Sequence, residues 1–319
     1  MNGNKVKTAF LFPGQASQYV GMANDIYEEF DSVRELFGRA GEILGFDIAN
    51  TCFNGPEELL KQTSYTQPAV FLHSCSLDMI LRENYLRPDG AAGHSLGEYT
   101  AMASAGTLSF EQALMAVAKR SKAMQDDCDK NPGTMAAVLG LEYSVVVDIL
   151  NGINGVVVPA NHNSADQTVI SGELDAVEDA CEKLKAAGAK RAIMLPVGGA
   201  YHSPLMSGSS ELMKTYLAEL NFKAFEFPIY SNVNAEPVST PDKYKEIISN
   251  QITNPVLWSQ TLKNMYNDGF RHFVEVGPGK VLQGLAKKFS GDPEIKISGI
   301  DKLDDLDEFI NRFPRLGER

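Results

Sequence analysis

Short apolar runs alternate along this chain with longer stretches in which apolar residues recur every three or four positions, the pattern of an α/β protein with a mainly parallel sheet. The first strand is expected from about Val6 to Phe12 and is closed by Pro13-Gly14. Helices are expected over about Asp31 to Leu44 and from Pro68, where proline suits a first helical turn. Gly90-Ala91-Ala92-Gly93 is a run of small residues before a helix beginning near Leu96, and Ser109 with Gln112 makes a capping box for a helix reaching about Asp127.

From about Thr134 the rhythm changes. A strand over Met135 to Leu139, a helix over Tyr143 to Leu150, strands over Val156 to Ala160 and Thr168 to Ser171, a helix over Leu174 to Ala187 and a strand over Arg191 to Val197 give the order βαββαβ. That order is the split-βαβ, or ferredoxin-like, unit. Asn131-Pro132-Gly133 precedes it and Gly198-Gly199 follows it. The larger pattern then resumes with a helix from Pro204, a strand over Pro228 to Ser231, helices near Lys243 to Ile252 and Val256 to Asn267, and a strand over Phe273 to Val276. The expected organisation is therefore a large α/β domain, residues 1–130 and 200–319, interrupted by a small domain over 131–199, with a cleft between them where ligands often bind.

Charge and composition narrow the function. Of 319 residues 44% are hydrophobic, which excludes a disordered chain, and the net charge of −12 disfavours nucleic acid as a partner. Cys52, Cys75, Cys128 and Cys181 form no CxxC pair, so neither a zinc site nor a disulfide framework is indicated, and four free thiols fit a reducing cytoplasm. The longest uncharged stretches, Thr8 to Asn24 and Ile149 to Ala165, are broken by Gly, Pro, Gln or Asn, so no membrane span is expected. The run Ala9 to Phe12 is too short for a signal-peptide core, and a cytoplasmic location is expected.

The chemistry concentrates in a few segments. Gly93-His94-Ser95-Leu96-Gly97 fits GxSxG in the strand-turn-helix context that a nucleophile elbow requires, which makes Ser95 the candidate nucleophile; the bland reading is a glycine-rich turn whose serine caps a helix. A serine hydroxyl needs a base, and His73, His94, His162, His202 and His272 are available. The first lies in a helical apolar pattern, the last at a strand entrance, and His94 on the elbow itself, which leaves His162 and His202. His202, in the loop that returns from the insert, could overhang the cleft. Arg120 shares a helix face with Ala113, Ala116, Val117, Ala123 and Met124. A buried arginine needs an anion, either a structural carboxylate or that of a substrate. Gln15, at the carboxyl end of the first strand, could offer an amide or backbone N–H to an oxyanion or simply belong to a turn.

Taken together these segments resemble the malonyl-CoA:acyl carrier protein transacylases and, more distantly, the acyltransferase domains of polyketide synthases. The resemblance runs over nearly the whole chain, through Phe12-Pro13-Gly14-Gln15, Gly93 to Tyr99, Lys119 to Gln125, Asn161-His162-Asn163-Ser164, Ala200-Tyr201-His202-Ser203, Asn254-Pro255-Val256 and Glu275 to Lys280. It implies an α/β-hydrolase-like large domain with a ferredoxin-like insert. By the same resemblance Ser95 is the nucleophile, His202 its base, and the Gln251 backbone carbonyl the group that orients the imidazole. Gln15 and the Leu96 N–H form the oxyanion hole, and Arg120 receives a malonyl carboxylate. The implied partners are malonyl-CoA and acyl carrier protein, with no metal and no cofactor beyond the CoA thioester. Lys190, Arg191 and Lys288, the last next to Lys287, are implied near the carrier-protein entrance.

Two departures stand out. The family loop usually reads PGQGS and here reads PGQAS, so Ala16 is expected to take an ordinary negative φ. The residue before the base, commonly Phe, is Tyr201, whose hydroxyl needs a partner. Two rival readings stay open: a serine esterase or thioesterase on the same elbow, which gains nothing from Arg120, and a silent scaffold that only binds carrier protein.

Overall fold

The computed structural model describes residues 6–289 and 292–313. Among these residues ten strands follow in chain order: β1 (Lys7–Phe12), β2 (Gly90–Gly93), β3 (Thr134–Leu139), β4 (Val157–Ser164), β5 (Gln167–Gly172), β6 (Arg191–Met194), β7 (Ile229–Tyr230), β8 (Pro237–Val238), β9 (Phe270–Val276) and β10 (Lys296–Ile300). β1 is apolar without alternation because it is central and covered on both faces. Ala9 and Leu11 pack with Trp258 and Phe273 on one face, and Phe10 and Phe12 join the larger core on the other. The first sheet has the order β10-β9-β1-β2-β7-β8 and is parallel throughout except for the β7–β8 pair. β1 and β2 end side by side, Phe12 opposite Gly93, so the loops after both strands leave from one point.

The second sheet, β4-β5-β3-β6, is antiparallel. It has its own core, in which Ala136, Val138 and Ile170 pack against Val146, Val177 and Leu184 from the helices Tyr143–Leu150 and Leu174–Ala186. A backbone bridge ties it to the first unit. His162 N–H donates to the Val256 carbonyl and Val256 N–H to the Ala160 carbonyl, both at 2.9 Å.

Several elements differ from those the pattern predicts. The helix assigned to start at Pro68 spans Thr63–Glu83, with the proline inside it. Apolar periodicity begins late there because the first turn, Thr63 to Thr66, is polar yet mostly buried or half-buried against neighbouring elements. The strand expected to stop at Ala160 continues to Ser164, since the polar residues Asn161 and His162 stay paired with Val169 and Thr168. The strand over Arg191 to Val197 ends at Met194, and Leu195 and Val197 turn toward the cleft instead. Val256 is held by the bridge to β4, which delays its helix to Trp258–Asn267. β8 and β10, both at the sheet's edges, have short or weakly alternating signals and were not among the expected elements.

Candidate active site

The cleft lies between the carboxyl ends of β1 and β2 and one face of the second sheet, with a volume of about 960 Å³ including its mouth. Met135, Val169, Leu195 and Val197 line the side of the second sheet, and Gln15, Ser95 and Arg120 line the other.

Ser95 sits on a turn that only glycine permits at its flanks. A Cβ on Gly93 would lie 1.9 Å from the Gly97 carbonyl carbon, and one on Gly97 would lie 2.0 Å from the Phe12 carbonyl oxygen. With those side chains absent, β2 runs directly into the helix Gly97–Ser104, and Ser95 takes a left-handed φ of 51°. Asn232 braces the turn: its Oδ1 accepts from Ser95 N–H and its Nδ2 donates to the Gly93 carbonyl, both at 2.7 Å. Because the Ser95 N–H is taken, the Leu96 N–H is the next donor on the turn, and Leu96 lines the cleft.

His202 arrives on the loop after the second sheet with its Nε2 2.8 Å from Ser95 Oγ. Its Nδ1 faces two acceptors, the Gln251 carbonyl at 3.0 Å and the Asn254 carbonyl at 3.1 Å. Two carbonyls require the proton on Nδ1, which leaves Nε2 as the acceptor for the serine proton. Burial, and next the Arg120 charge, push the imidazole down to about 3, so it is neutral at physiological pH.

Arg120 is fully buried. It donates to Gln67 Oε1 at 2.7 Å, Ser95 Oγ at 3.0 Å and Gln251 Oε1 at 3.1 Å, and lies over the Tyr99 ring at 5.5 Å. Among the described residues no carboxylate touches it. Gln15 is half-buried at the cleft, its Nε2 donating to Thr63 Oγ1 at 3.3 Å. Thr63 in turn meets the Tyr201 hydroxyl at 2.7 Å, so the added oxygen of Tyr201 has a partner that also touches Gln15.

Ala16 departs from expectation. Its φ is +79°, the conformation glycine usually supplies, and its N–H donates to Gln18 Oε1 at 2.8 Å. The other histidines are held elsewhere: His73 against the Asp301 carbonyl, His272 against Ser298, and His162 stacked on Tyr143. His94 lines the cleft but bonds Asn163. Lys190, Arg191 and Lys288 gather at one end of the second sheet. Lys190 N–H bonds the Leu139 carbonyl, Arg191 pairs with Leu139, Gly140 N–H bonds the Asp166 carbonyl, and Lys288 Nζ lies 3.9 Å from Asp166. None of the three lines the cleft, although Val281, Leu282 and Leu285 of the helix bearing Lys288 do.

The acyl transferase domain family matches residues 9–298. The malonyl CoA-acyl carrier protein transacylase of Staphylococcus aureus strain MRSA252 is 39% identical over 303 residues, 94% of this chain and 97% of that protein. The chain belongs to the malonyl-CoA:acyl carrier protein transacylase family. The transacylase of Bacillus subtilis strain 168 is also 39% identical, over 88% of this chain and 90% of its own length. Among solved structures, the acyl carrier protein S-malonyltransferase of Vibrio cholerae superposes with a TM-score of 0.91 at 38% identity, covering 95% of this chain and 99% of that one. A malonyl-transacylase solved in complex with its type II PKS acyl-carrier protein gives 0.92 at 33% identity, covering 96% and 100%.

Within this transacylase fold two buried polar residues, Gln67 and Asn232, escape a reading of the sequence alone. Gln67, Asn232 and Glu98 are buried polar side chains that contact Arg120, Ser95 and Gln251 respectively. Glu98 follows the elbow directly and was visible as part of its motif, whereas Gln67 and Asn232 lie 28 residues before and 137 after Ser95, with no local pattern to mark them. Among the described residues no helix is long and apolar enough to cross a membrane, and no group of three or more His, Cys, Asp or Glu is arranged to hold a metal.

Proposed function

We propose that the protein transfers a malonyl group from malonyl-CoA to the phosphopantetheine thiol of acyl carrier protein through an acyl-enzyme on Ser95. The observation that most supports this is the meeting of three groups at one oxygen: Ser95 Oγ lies within hydrogen-bond reach of both His202 Nε2 and Arg120 Nη2. His202 takes the serine proton as Oγ attacks the thioester carbon, and a tetrahedral oxyanion forms that Gln15 and the Leu96 N–H receive. The C–S bond breaks, His202 returns the proton to the CoA sulfur, and the malonyl ester remains on Ser95. The pantetheine thiol then gives its proton to His202 and attacks the ester carbonyl, the Oγ–C bond breaks, and His202 returns that proton to Ser95 Oγ. The Gln251 carbonyl fixes the imidazole in place of a carboxylate, and the chemistry draws only on protein groups and the CoA thioester. Arg120, buried without a carboxylate of its own, selects the malonyl carboxylate over neutral acyl groups. That selection separates this reading from an esterase, which has no use for the cation.

The fold is read in finer terms on the same footing. The sheet order β4-β5-β3-β6, with a helix after β3 and another after β5, supports a ferredoxin-like insert over 131–199. A serine at the strand-to-helix turn of a parallel sheet supports an α/β-hydrolase-like large domain over 1–130 and 200–319. A cytoplasmic site of action agrees with four buried free thiols. The test is intact-mass measurement after mixing with malonyl-CoA, then peptide mapping. A malonyl adduct on the Ser95 peptide, discharged by holo acyl carrier protein, is expected; no adduct, or rapid hydrolysis without carrier protein, overturns the reading.

A further inference from the structure

Gln251 serves the site twice. Its backbone carbonyl accepts from His202 Nδ1, while its side-chain amide lies between two groups of opposite charge. Oε1 accepts from Arg120 Nη2 at 3.1 Å, and Nε2 donates to Glu98 Oε2 at 2.7 Å and to the Ser95 carbonyl at 2.8 Å. Only this amide orientation works, since a flip would set Oε1 against two acceptors and the NH₂ against the guanidinium.

Glu98 is fully buried, and its hydrogen-bond partners are all donors: the Tyr244 hydroxyl at 2.9 Å, Gln251 Nε2, and Asn232 N–H at 3.3 Å. A surround made only of donors fits the carboxylate form. Burial raises its pKa to about 7, and the same donors, with Arg120, hold it down. The carboxylate is therefore placed to balance the buried Arg120 at one remove, through an amide that carries no charge. A direct ion pair would neutralise the guanidinium before substrate arrives, whereas no counter-charge at all would leave an isolated cation in a dry site.

We propose that Glu98 is a positioning residue that balances Arg120 through the Gln251 side chain, and that the amide spacer keeps the guanidinium open to a carboxylate-bearing acyl group. The proposal rests on the reading of Arg120 as the acyl-carboxylate site.

The test compares malonyl-CoA and acetyl-CoA loading of Ser95 by intact mass in four full-length proteins: wild type, Glu98→Gln, the exchanged pair Glu98→Gln with Gln251→Glu, and Tyr244→Phe. Removing the remote anion makes Arg120 a stronger attractor, so Glu98→Gln raises the malonyl-to-acetyl ratio by about threefold or more, mainly through a lower malonyl KM. The exchanged pair retains one carboxylate and one amide but sets the carboxylate directly on Arg120. Its malonyl-to-acetyl ratio falls at least about tenfold below wild type. Tyr244→Phe takes one donor from Glu98 without touching the nucleophile and moves the ratio in the Glu98→Gln direction by a smaller amount, so it decides the matter should Glu98→Gln fail to fold. A structural carboxylate would lower the yield of folded protein and leave the ratio at its wild-type value in Glu98→Gln and Tyr244→Phe, and that result overturns the proposal. Wild type failing to load malonyl at all would instead strike the functional reading beneath it.

Discussion

Arg120 Nη2 donates to Ser95 Oγ at 3.0 Å, so the cation of the cleft and its hydroxyl nucleophile are bonded to each other before any ligand arrives. The same oxygen lies 2.8 Å from His202 Nε2. The hydroxyl thus accepts from one side and donates to the other, and a carboxylate arriving at Arg120 has only to replace one acceptor by a better one.

Arg120→Ala should exchange specificity rather than abolish activity. Losing a desolvated, charge-assisted pair costs about 2–5 kcal/mol in malonyl recognition, while neutral acyl chains lose little and gain room. Competing malonyl-CoA against acetyl-CoA for Ser95 measures this, and equal losses for both would make Arg120 a structural residue.

Ser95→Ala should fold as wild type does and form no adduct. The backbone there is braced by Asn232 and by the Gly93–Gly97 contact, neither of which involves the hydroxyl. Undiminished malonylation of this variant would remove the nucleophile from the scheme.

Ala16→Gly should stabilise the protein. An alanine at φ +79° bears a left-handed penalty of about 1–2 kcal/mol, against about 0.5–1 kcal/mol of extra backbone entropy lost by glycine on folding. The net gain of about 0.5–1 kcal/mol corresponds to a rise of about 1–3 °C in Tm for a chain of this size. A lower Tm would show that the Ala16 methyl contributes more by packing than its conformation costs.

The elbow and the buried arginine were legible from local pattern, glycines two residues either side of a serine and an arginine on an apolar helix face, whereas pattern alone left His162 and His202 both open and the family resemblance chose between them. The conformation of Ala16 was not legible, since its φ is set by Gly14 and Ser17 and the turn they share rather than by its own residue type; Ser17 Oγ donates to the Gly14 carbonyl at 2.7 Å. Nor was the support around Gln251. Glu98, Asn232, Tyr244 and Gln251 come from four separated segments, and only the tertiary fold makes them neighbours. The same holds for Pro68, which looks like a helix start until the polar turn Thr63 to Thr66 is seen to precede it in the same helix.

Malonyl loading should persist well into mild acid. An unperturbed imidazole is half protonated near 6.5, but burial and Arg120 push His202 down to about 3, so the base stays neutral as pH falls past that value. The loading rate is expected to stay nearly level from pH 8 to about pH 5.5, where an ordinary histidine base would already have lost most of its activity. Glu98, raised to about 7 by burial, is the other group that titrates in this range beside the site. A limb near 7 that disappears in Glu98→Gln would belong to that carboxyl, whereas one near 6.5 that survives there would show His202 to be far more solvated than its 3% exposure implies.

The carrier protein poses an electrostatic problem of its own. Acyl carrier proteins are expected to be acidic, and this chain is itself at −12, so encounter depends on a local basic surface. Lys288 lies almost a hundred residues from the adjacent Lys190 and Arg191 yet meets them at one end of the second sheet, all three exposed. Asp166 tempers the patch, since Lys288 Nζ lies 3.9 Å from it, but an exposed pair at that distance holds its lysine loosely. The helix bearing Lys288 also sends Leu282 and Leu285 into the cleft that holds Ser95, so a partner held at its far turn would share a helix with the cleft wall. Reversing Lys190, Arg191 and Lys288 to Glu should slow discharge of malonyl-Ser95 to carrier protein and weaken its salt dependence, while loading from malonyl-CoA stays close to wild type. Measuring the two half-reactions separately at low and high salt decides the point: if both fall together, or neither falls, the patch is ordinary solvated charge and the carrier protein approaches over another face.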